Sequence, residues 1–227
     1  METSERAYEK IINYVERQIM QGSYKRGDRL PPERELAALL GASRNSVREG
    51  LGILERMGAI SSQQGAGNFI SDNFEKTLIE VMTLMFILEE GTFREISEFR
   101  YALETQALAL AMEHISKKQL TDIEYYMSML EKTPEEDMKA YYDKKIHYTI
   151  TAASGNRFII DNLQALTAVM DVFIKDMRAK ILSDGSNSEG LMAAHREMVE
   201  ALREKNMKKG MQALKVHFEY IYEYIDG

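Results

Sequence analysis

Between residues 11 and 19 the chain places Ile11, Ile12, Val15 and Ile19 at helical spacing, the mark of one apolar face. The pattern predicts a helix over Ala7–Met20, with Gly22 where a C-terminal cap belongs. Pro31-Pro32-Glu33 then opens a short helix, Glu33–Leu40, that stops at Gly41. Ser43 is suited to cap a longer one, Arg44–Met57, whose inner stripe is Val47, Leu51 and Leu54. Past Gly58, Ala59–Ser62 and Asn68–Ser71 read as two short strands around the turn Gln63-Gln64-Gly65-Ala66-Gly67. Helix, tight turn, longer helix and hairpin is the order of a winged helix-turn-helix.

From residue 73 onward the periodicity is helical almost throughout. It predicts helices near 74–90, 92–114, 117–131, 134–153, 157–182, 188–204 and 207–225. Ser116 stands three before Gln119, Thr133 precedes Pro134 and Glu136, and Asn206 opens the last helix, so these three are expected caps. Short connections imply antiparallel neighbours. The fold class is therefore mainly α: an N-terminal winged helix-turn-helix over 1–72 and a C-terminal antiparallel all-helical bundle of six to seven helices over 73–227.

Composition narrows the function classes. The chain has no cysteine, which excludes disulfides and thiolate metal sites. Its first ten residues are polar and charged, and no apolar run approaches the ~20 residues of a membrane span. The expected location is the cytoplasm, with no membrane partner. The net charge of −7 is unusual for a nucleic-acid binder, but its distribution matters. Residues 1–72 balance ten basic against ten acidic groups, while 73–227 hold nineteen against twenty-six. Residues 22–56 carry a slight excess, seven basic to five acidic, so any affinity for phosphates must come from a few placed arginines.

Those arginines lie where a recognition helix needs them. Ser43, Arg44, Asn45, Ser46 and Arg48 crowd the start of the second helix, opposite its apolar stripe. Arg34 lies on the helix before it, and the hairpin tip offers Gln64 beside Gly65 and Gly67. Taken alone, Arg44 and Arg48 would be an ordinary solvated face; the order of elements around them favours DNA contact.

Leu30-Pro-Pro-Glu-Arg-Glu-Leu-Ala37, Leu40-Gly-Ala-Ser-Arg-Asn-Ser-Val-Arg-Glu49, Gly58-Ala-Ile and the Gly65–Gly67 tip together resemble the N-terminal domain of GntR-type bacterial regulators over roughly 8–71. The resemblance implies phosphate and guanine contacts by Arg34, Arg44 and Arg48. It implies further contacts by Ser43, Asn45 and Ser46, and a wing entering the minor groove at Gln64–Gly65. Asn45 stands where threonine is usual and the wing lacks the usual basic residue, departures that bear on the operator sequence.

The C-terminal half holds its own chemistry. Asp143 and His147, four apart, share a helix face. If the last two helices form a hairpin turning near Asn206, His195 and His217 each lie eleven residues from the turn and face one another. Their neighbours Leu191, Met198, Leu202, Ala213 and Leu214 are apolar, so both rings point inward. Spacing alone leaves two readings: one metal shared with Asp143, or separate core histidines bonded to carbonyls. His114 has no place in this set and is expected at the surface. The fifteen methionines fit adaptable core better than a ligand set.

Asp-x-x-x-His followed by two late histidines resembles the FCD domain of the FadR-type branch, over about 76–222. That resemblance implies a divalent metal held by Asp143, His147, His195 and His217, zinc being expected and nickel or manganese compatible with nitrogen and oxygen donors. It also implies a small organic-acid effector beside the metal. Glu98-Phe-Arg100-Tyr-Ala-Leu-Glu104 resembles the family's Glu-x-Arg-x-x-Leu-Glu stretch, making Arg100 the candidate partner of the effector's carboxylate; the competing expectation is a surface pair with Glu104. The expected protein is a homodimeric, effector-controlled repressor on double-stranded operator DNA, not an enzyme. The alternatives are a metal-dependent enzyme with a DNA-binding appendage and a metal-free regulator sensing an acyl-CoA.

Overall fold

The structure, a computed structural model, describes residues 6–72, 74–173 and 185–226. The chain divides into two compact units, Met1–Leu78 and Ile79–Gly227.

In the first unit, α1 (Ala7–Met20) buries Ile11 and Val15, α2 (Glu33–Leu40) buries Leu36, and α3 (Arg44–Arg56) buries Val47, Gly50, Leu51 and Leu54. Gly41 closes α2 in the left-handed conformation at φ 58°, where a side chain would be strained. The antiparallel strands β1 (Ile60–Gln63) and β2 (Gly67–Ile70) pair Ile60 with Ile70 and Gln63 with Gly67. A third stretch joins the hairpin edge: the Leu30 N–H donates to Asn68 O at 2.8 Å and the Ile70 N–H donates to Asp28 O at 2.8 Å. Leu30, Ile60 and Ile70 thereby close the core under the helices.

Gly50 sets how closely α1 and α3 cross. A Cβ built there would stand 2.8 Å from Ile11 Cβ and 2.9 Å from Tyr8 O, so only a hydrogen fits. These are backbone-near atoms that cannot swing aside, unlike the end of a long side chain.

The second unit is helical. In order, α4 is Glu75–Leu88, whose first residues belong to the first unit, α5 is Phe93–His114, α6 is Lys117–Lys132 and α7 is Glu136–Ala153. They are followed by α8 (Arg157–Phe173), α9 (Gly185–Glu204) and α10 (Met207–Asp226). The pairs α9–α10 and α6–α7 pack most extensively, and α5 packs against α7, α8 and α10. Their shared core includes Leu108, Ile123, Met127, Ile146, Met198 and Phe218. Met112, Met127 and Met198 are thus ordinary core members, while Met20, Met57 and Met85 are exposed.

Ser116 and Gln119 form the expected capping box, and Asn206 Oδ1 accepts from the Lys209 N–H. Thr133 does not cap α7. Pro134 forces Thr133 into an extended conformation, ψ 133°, so it terminates α6, and α7 starts two residues later than expected with Glu135 at its cap. The expected continuation of α8 to 182 falls, from 174 on, outside the described residues.

Candidate functional site

Two constellations stand out, one in each unit. In the first, Ser43 Oγ accepts from the Ser46 N–H at 3.1 Å and lies 2.9 Å from Ser46 Oγ, which fixes the start of α3. Arg44, Asn45 and Arg48 are exposed at that end, and Arg34 is exposed on α2. Arg48 is not free: its Nε–H donates to Glu33 Oε2 at 2.8 Å, tying α3 to the start of α2. Gln64 and Gly65 lie exposed at the hairpin tip, with Gly65 at φ 76°.

A residue that the sequence did not single out belongs with these. Arg29, exposed, lines one surface hollow with Arg34 and Arg44. Its guanidinium Nε would stand 3.3 Å from a Cβ at Gly67, so the glycine leaves it room beside the hairpin. The signal was present as a basic residue directly before Leu30-Pro-Pro, but only the edge pairing of Arg29 with Phe69 places it next to the wing.

In the second unit, α7 supplies Asp143 and His147, α9 supplies His195 and α10 supplies His217. One ligand atom from each lies within 4.8 Å of the other three, and all four residues are buried. The His195 and His217 ring centroids are 4.6 Å apart with planes at 85°, facing across the α9–α10 hairpin. His114, by contrast, is exposed at the end of α5.

The outer nitrogens determine what the inner ones can do. His195 Nδ1 lies 2.9 Å from the Leu191 carbonyl, which can only accept, so this nitrogen carries the proton. His147 Nδ1 lies 2.7 Å from Glu104 Oε2, again an acceptor. In the neutral rings both Nε2 atoms then present bare lone pairs, 3.1 Å apart. Asp143 Oδ1 lies 3.0 Å from His195 Nε2 and 3.8 Å from His147 Nε2. His217 Nδ1 is buried without a hydrogen-bond partner among the described residues. Burial, then the neighbouring His195 and His147, push the His217 pKa well below its ordinary value, so this ring stays neutral. Converging lone pairs in a dry interior repel unless a cation sits among them. The donor set, three nitrogens and a carboxylate without sulfur, fits a divalent transition-metal ion.

Arg100 and Glu104 pair as i and i+4, but inside the bundle rather than at its surface, where each is under a tenth exposed. Burial opposes ionisation of Glu104; Arg100, then His147, outweigh it and hold the carboxyl at about 2. The Arg100 guanidinium also lies 5.4 Å over the Phe218 ring. Arg100, Glu104, Lys144, His147, Tyr148, Thr151, Leu163 and Thr167 line a small cavity next to this cluster.

Comparison with known proteins follows the same division. Residues 7–70 match the family described as bacterial regulatory proteins, gntR family, and residues 95–220 match the FCD domain. A protein named for regulation of the L-lactate dehydrogenase operon in Escherichia coli (strain K12) is 25% identical over 223 residues, 96% of this chain and 85% of its own. The HTH-type transcriptional repressor YtrA of Bacillus subtilis (strain 168) is 40% identical over 95 residues, 42% of this chain and 72% of its own. The solved structure of Streptococcus agalactiae GntR superposes with a TM-score of 0.65 at 23% identity, over 95% of this chain and 99% of that one.

Proposed function

The chain belongs to the GntR family of bacterial regulatory proteins and carries an FCD domain, and on that premise we propose a repressor governed by a small carboxylate bound beside a divalent metal. It is a DNA-binding transcriptional regulator, not an enzyme. The observation that carries the control reading is the buried convergence of Asp143, His147, His195 and His217.

At the DNA, Arg34, Arg44 and Arg48 contact phosphates and guanine, with Ser43, Asn45 and Ser46 adding contacts from the start of α3. Gln64 and Gly65 enter the minor groove. One α3 reads half a site, so the acting species is a homodimer on a two-fold operator. The exposed apolar residues of α4, Val81, Leu84, Met85, Ile87 and Leu88, support an interface between copies. No helix among the described residues is long and apolar enough to cross a membrane. The proposed place of action is the cytoplasm, where a bacterial regulator meets its operator DNA.

In the helical unit, zinc is the metal proposed, held by Asp143, His147, His195 and His217. A bound divalent ion would supply positive, Lewis-acidic charge for an effector oxygen. Arg100 pairs with the effector's carboxylate from the cavity wall, and Lys144, Tyr148, Thr151 and Thr167 give that wall a polar lining; at about 10 Å³ the cavity has room for one water, so the helices around it must part to admit an acid. Effector binding selects one arrangement of the helices and so changes operator affinity.

The test is a selection of binding sites from random duplex DNA by the purified chain, followed by a thermal-shift screen of organic acids with and without Zn2+. A two-fold site, and an acid that stabilises the chain only when Zn2+ is present, are expected. Failure to enrich any sequence would refute the DNA assignment, and stabilisation indifferent to Zn2+ would refute the metal-linked effector.

A further inference from the structure

Four ligands in the metal site leave unexplained why an ionised carboxylate, Glu104, is buried against one of them. Glu104 comes from α5, a helix that contributes none of the four ligands. Its two oxygens are divided: Oε1 accepts from Arg100 Nε–H, and Oε2 lies 2.7 Å from His147 Nδ1. A carboxylate is costly to bury unless charge and hydrogen bonds compensate it. Here the compensation comes from a guanidinium on one side and an imidazole on the other.

We propose that Glu104 is the positioning residue of the metal site, fixing the His147 ring with Nε2 turned inward and linking it to Arg100. The inference rests on the metal reading above and deepens it. An ionised carboxylate accepts only, so it selects the tautomer with hydrogen on Nδ1 and the bare lone pair on Nε2, beside Asp143 and His195. It also raises the basicity of that lone pair. His195 receives the equivalent service from its own helix, through the Leu191 carbonyl. His147 instead meets its acceptor on α5.

The division of Glu104 between its two partners also links the sites. A carboxylate arriving at Arg100 competes with Glu104 for the guanidinium. That leaves Glu104 less neutralised and a stronger acceptor from His147, so ligand and metal tighten one another. By thermodynamic reciprocity each raises the other's affinity by the same factor.

Glu104→Gln tests the assignment with little change of shape. The amide has one acceptor oxygen for two donors, and its NH2 must face either Arg100 or His147 Nδ1; the second choice moves the ring proton to Nε2, into the metal site. The full-length chain, stripped with chelator, is titrated with Zn2+ against a chromophoric competitor, and the His147 tautomer is read from nitrogen-15 shifts before metal is added. Zn2+ affinity should fall about 10- to 100-fold, and the Nδ1-protonated form should cease to dominate. Glu104→Asp keeps the charge but reaches only one partner at a time; if the amide variant does not fold, Asp must show the same two changes at smaller amplitude. Exposed His114→Asn serves as a control with unchanged affinity. Equal Zn2+ affinity in wild type and Glu104 variants would overturn the role of Glu104 while leaving the metal site standing. A wild-type chain that binds no Zn2+ would overturn both.

Discussion

Oδ1 of Asp143 lies 3.0 Å from Nε2 of His195, bringing a donor atom of α7 against one of α9 inside the bundle. The other nitrogen of that ring is committed to the Leu191 carbonyl at 2.9 Å, so turning the ring away breaks a buried hydrogen bond. The donor atom is therefore held in place by the main chain of its own helix, whether or not an ion is present. Preorganisation of this kind favours binding because little ordering remains to be done when the ligand arrives.

His195→Ala should accordingly lose most of its metal. Zn2+ affinity is expected to fall by about tenfold or more, a ligand counting for at least as much as an outer partner. Elemental analysis of the dialysed chain measures it. Full occupancy in the variant would show that the four residues do not act together.

Acid should destabilise the metal-free chain with a sign fixed by His217 and Glu104. Burial, then His195 and His147, hold His217 well below the ordinary 6.5, so below 6.5 the unfolded chain binds a proton that the folded chain resists. That contribution is fully present above pH 6.5 and lost as pH falls. Glu104, held at about 2 against an ordinary 4.5, acts in the same direction at lower pH: its contribution is present above 4.5 and lost towards 2. The Tm of chelator-treated protein should be flat above about pH 7 and fall from pH 6.5 to 5, with His217→Asn flattening the fall. A Tm that rises on acidification would contradict the burial of neutral His217.

Features that depend on spacing within one helix were legible before any coordinates. Asp143 and His147 share a face because 3.6 residues make a turn, and Ser43 caps α3 because its hydroxyl can reach the N–H three residues on. Equal distances from Asn206 were enough to bring His195 opposite His217. What stayed hidden depends on which helix lies beside which. The contact of Glu104 with His147 spans 43 positions and two helices, and no periodicity encodes their relative height, so the i,i+4 pairing of Arg100 with Glu104, the alternative to an effector contact, is expected at the surface. Arg29 was missed likewise, because its place beside the wing follows from an edge pairing with Phe69 rather than from any local signal. At Thr133 two local rules compete: the restriction Pro134 places on the residue before it outweighs a favourable capping side chain.

The arginines of the reading head should separate by kind of contact. Arg44→Ala, at the exposed start of α3, should abolish discrimination between the selected operator and random duplex, with the helical signal in circular dichroism unchanged. Arg29→Ala should weaken both by a similar factor and lower the salt dependence of binding by about one phosphate contact, because Arg29 stands off the recognition helix, on the edge stretch paired with Phe69, a position suited to phosphate rather than base contact. Titrations at several salt concentrations distinguish the two. Equal loss of discrimination in both variants would place Arg29 on a base edge instead.

Gly50→Ala is the smallest change that tests the architecture beneath that head. The added methyl would meet Ile11 Cβ at 2.8 Å and Tyr8 O at 2.9 Å, distances that real Cβ atoms do not adopt, so α1 must move away from α3. Alanine favours helix over glycine by up to about 1 kcal/mol, which partly offsets the clash. Overpacking of a fitted core costs about 1–3 kcal/mol, and with main-chain oxygen as one of the colliding atoms the cost should exceed the propensity gain. Because Val47, Leu51 and Leu54 hang from the same helix as Arg44, displacement of α1 loosens the support of the recognition surface as well. The variant should unfold at lower denaturant concentration and bind operator more weakly; a binding loss that persists on cooling marks a strained but folded head, and one that recovers marks an unfolded head. Gly52→Ala, on the same helix but with 3.7 Å to its nearest neighbour, the end of the Arg56 side chain, should be neutral or stabilising. Equal behaviour of the two alanine variants would mean that α1 and α3 do not cross at Gly50.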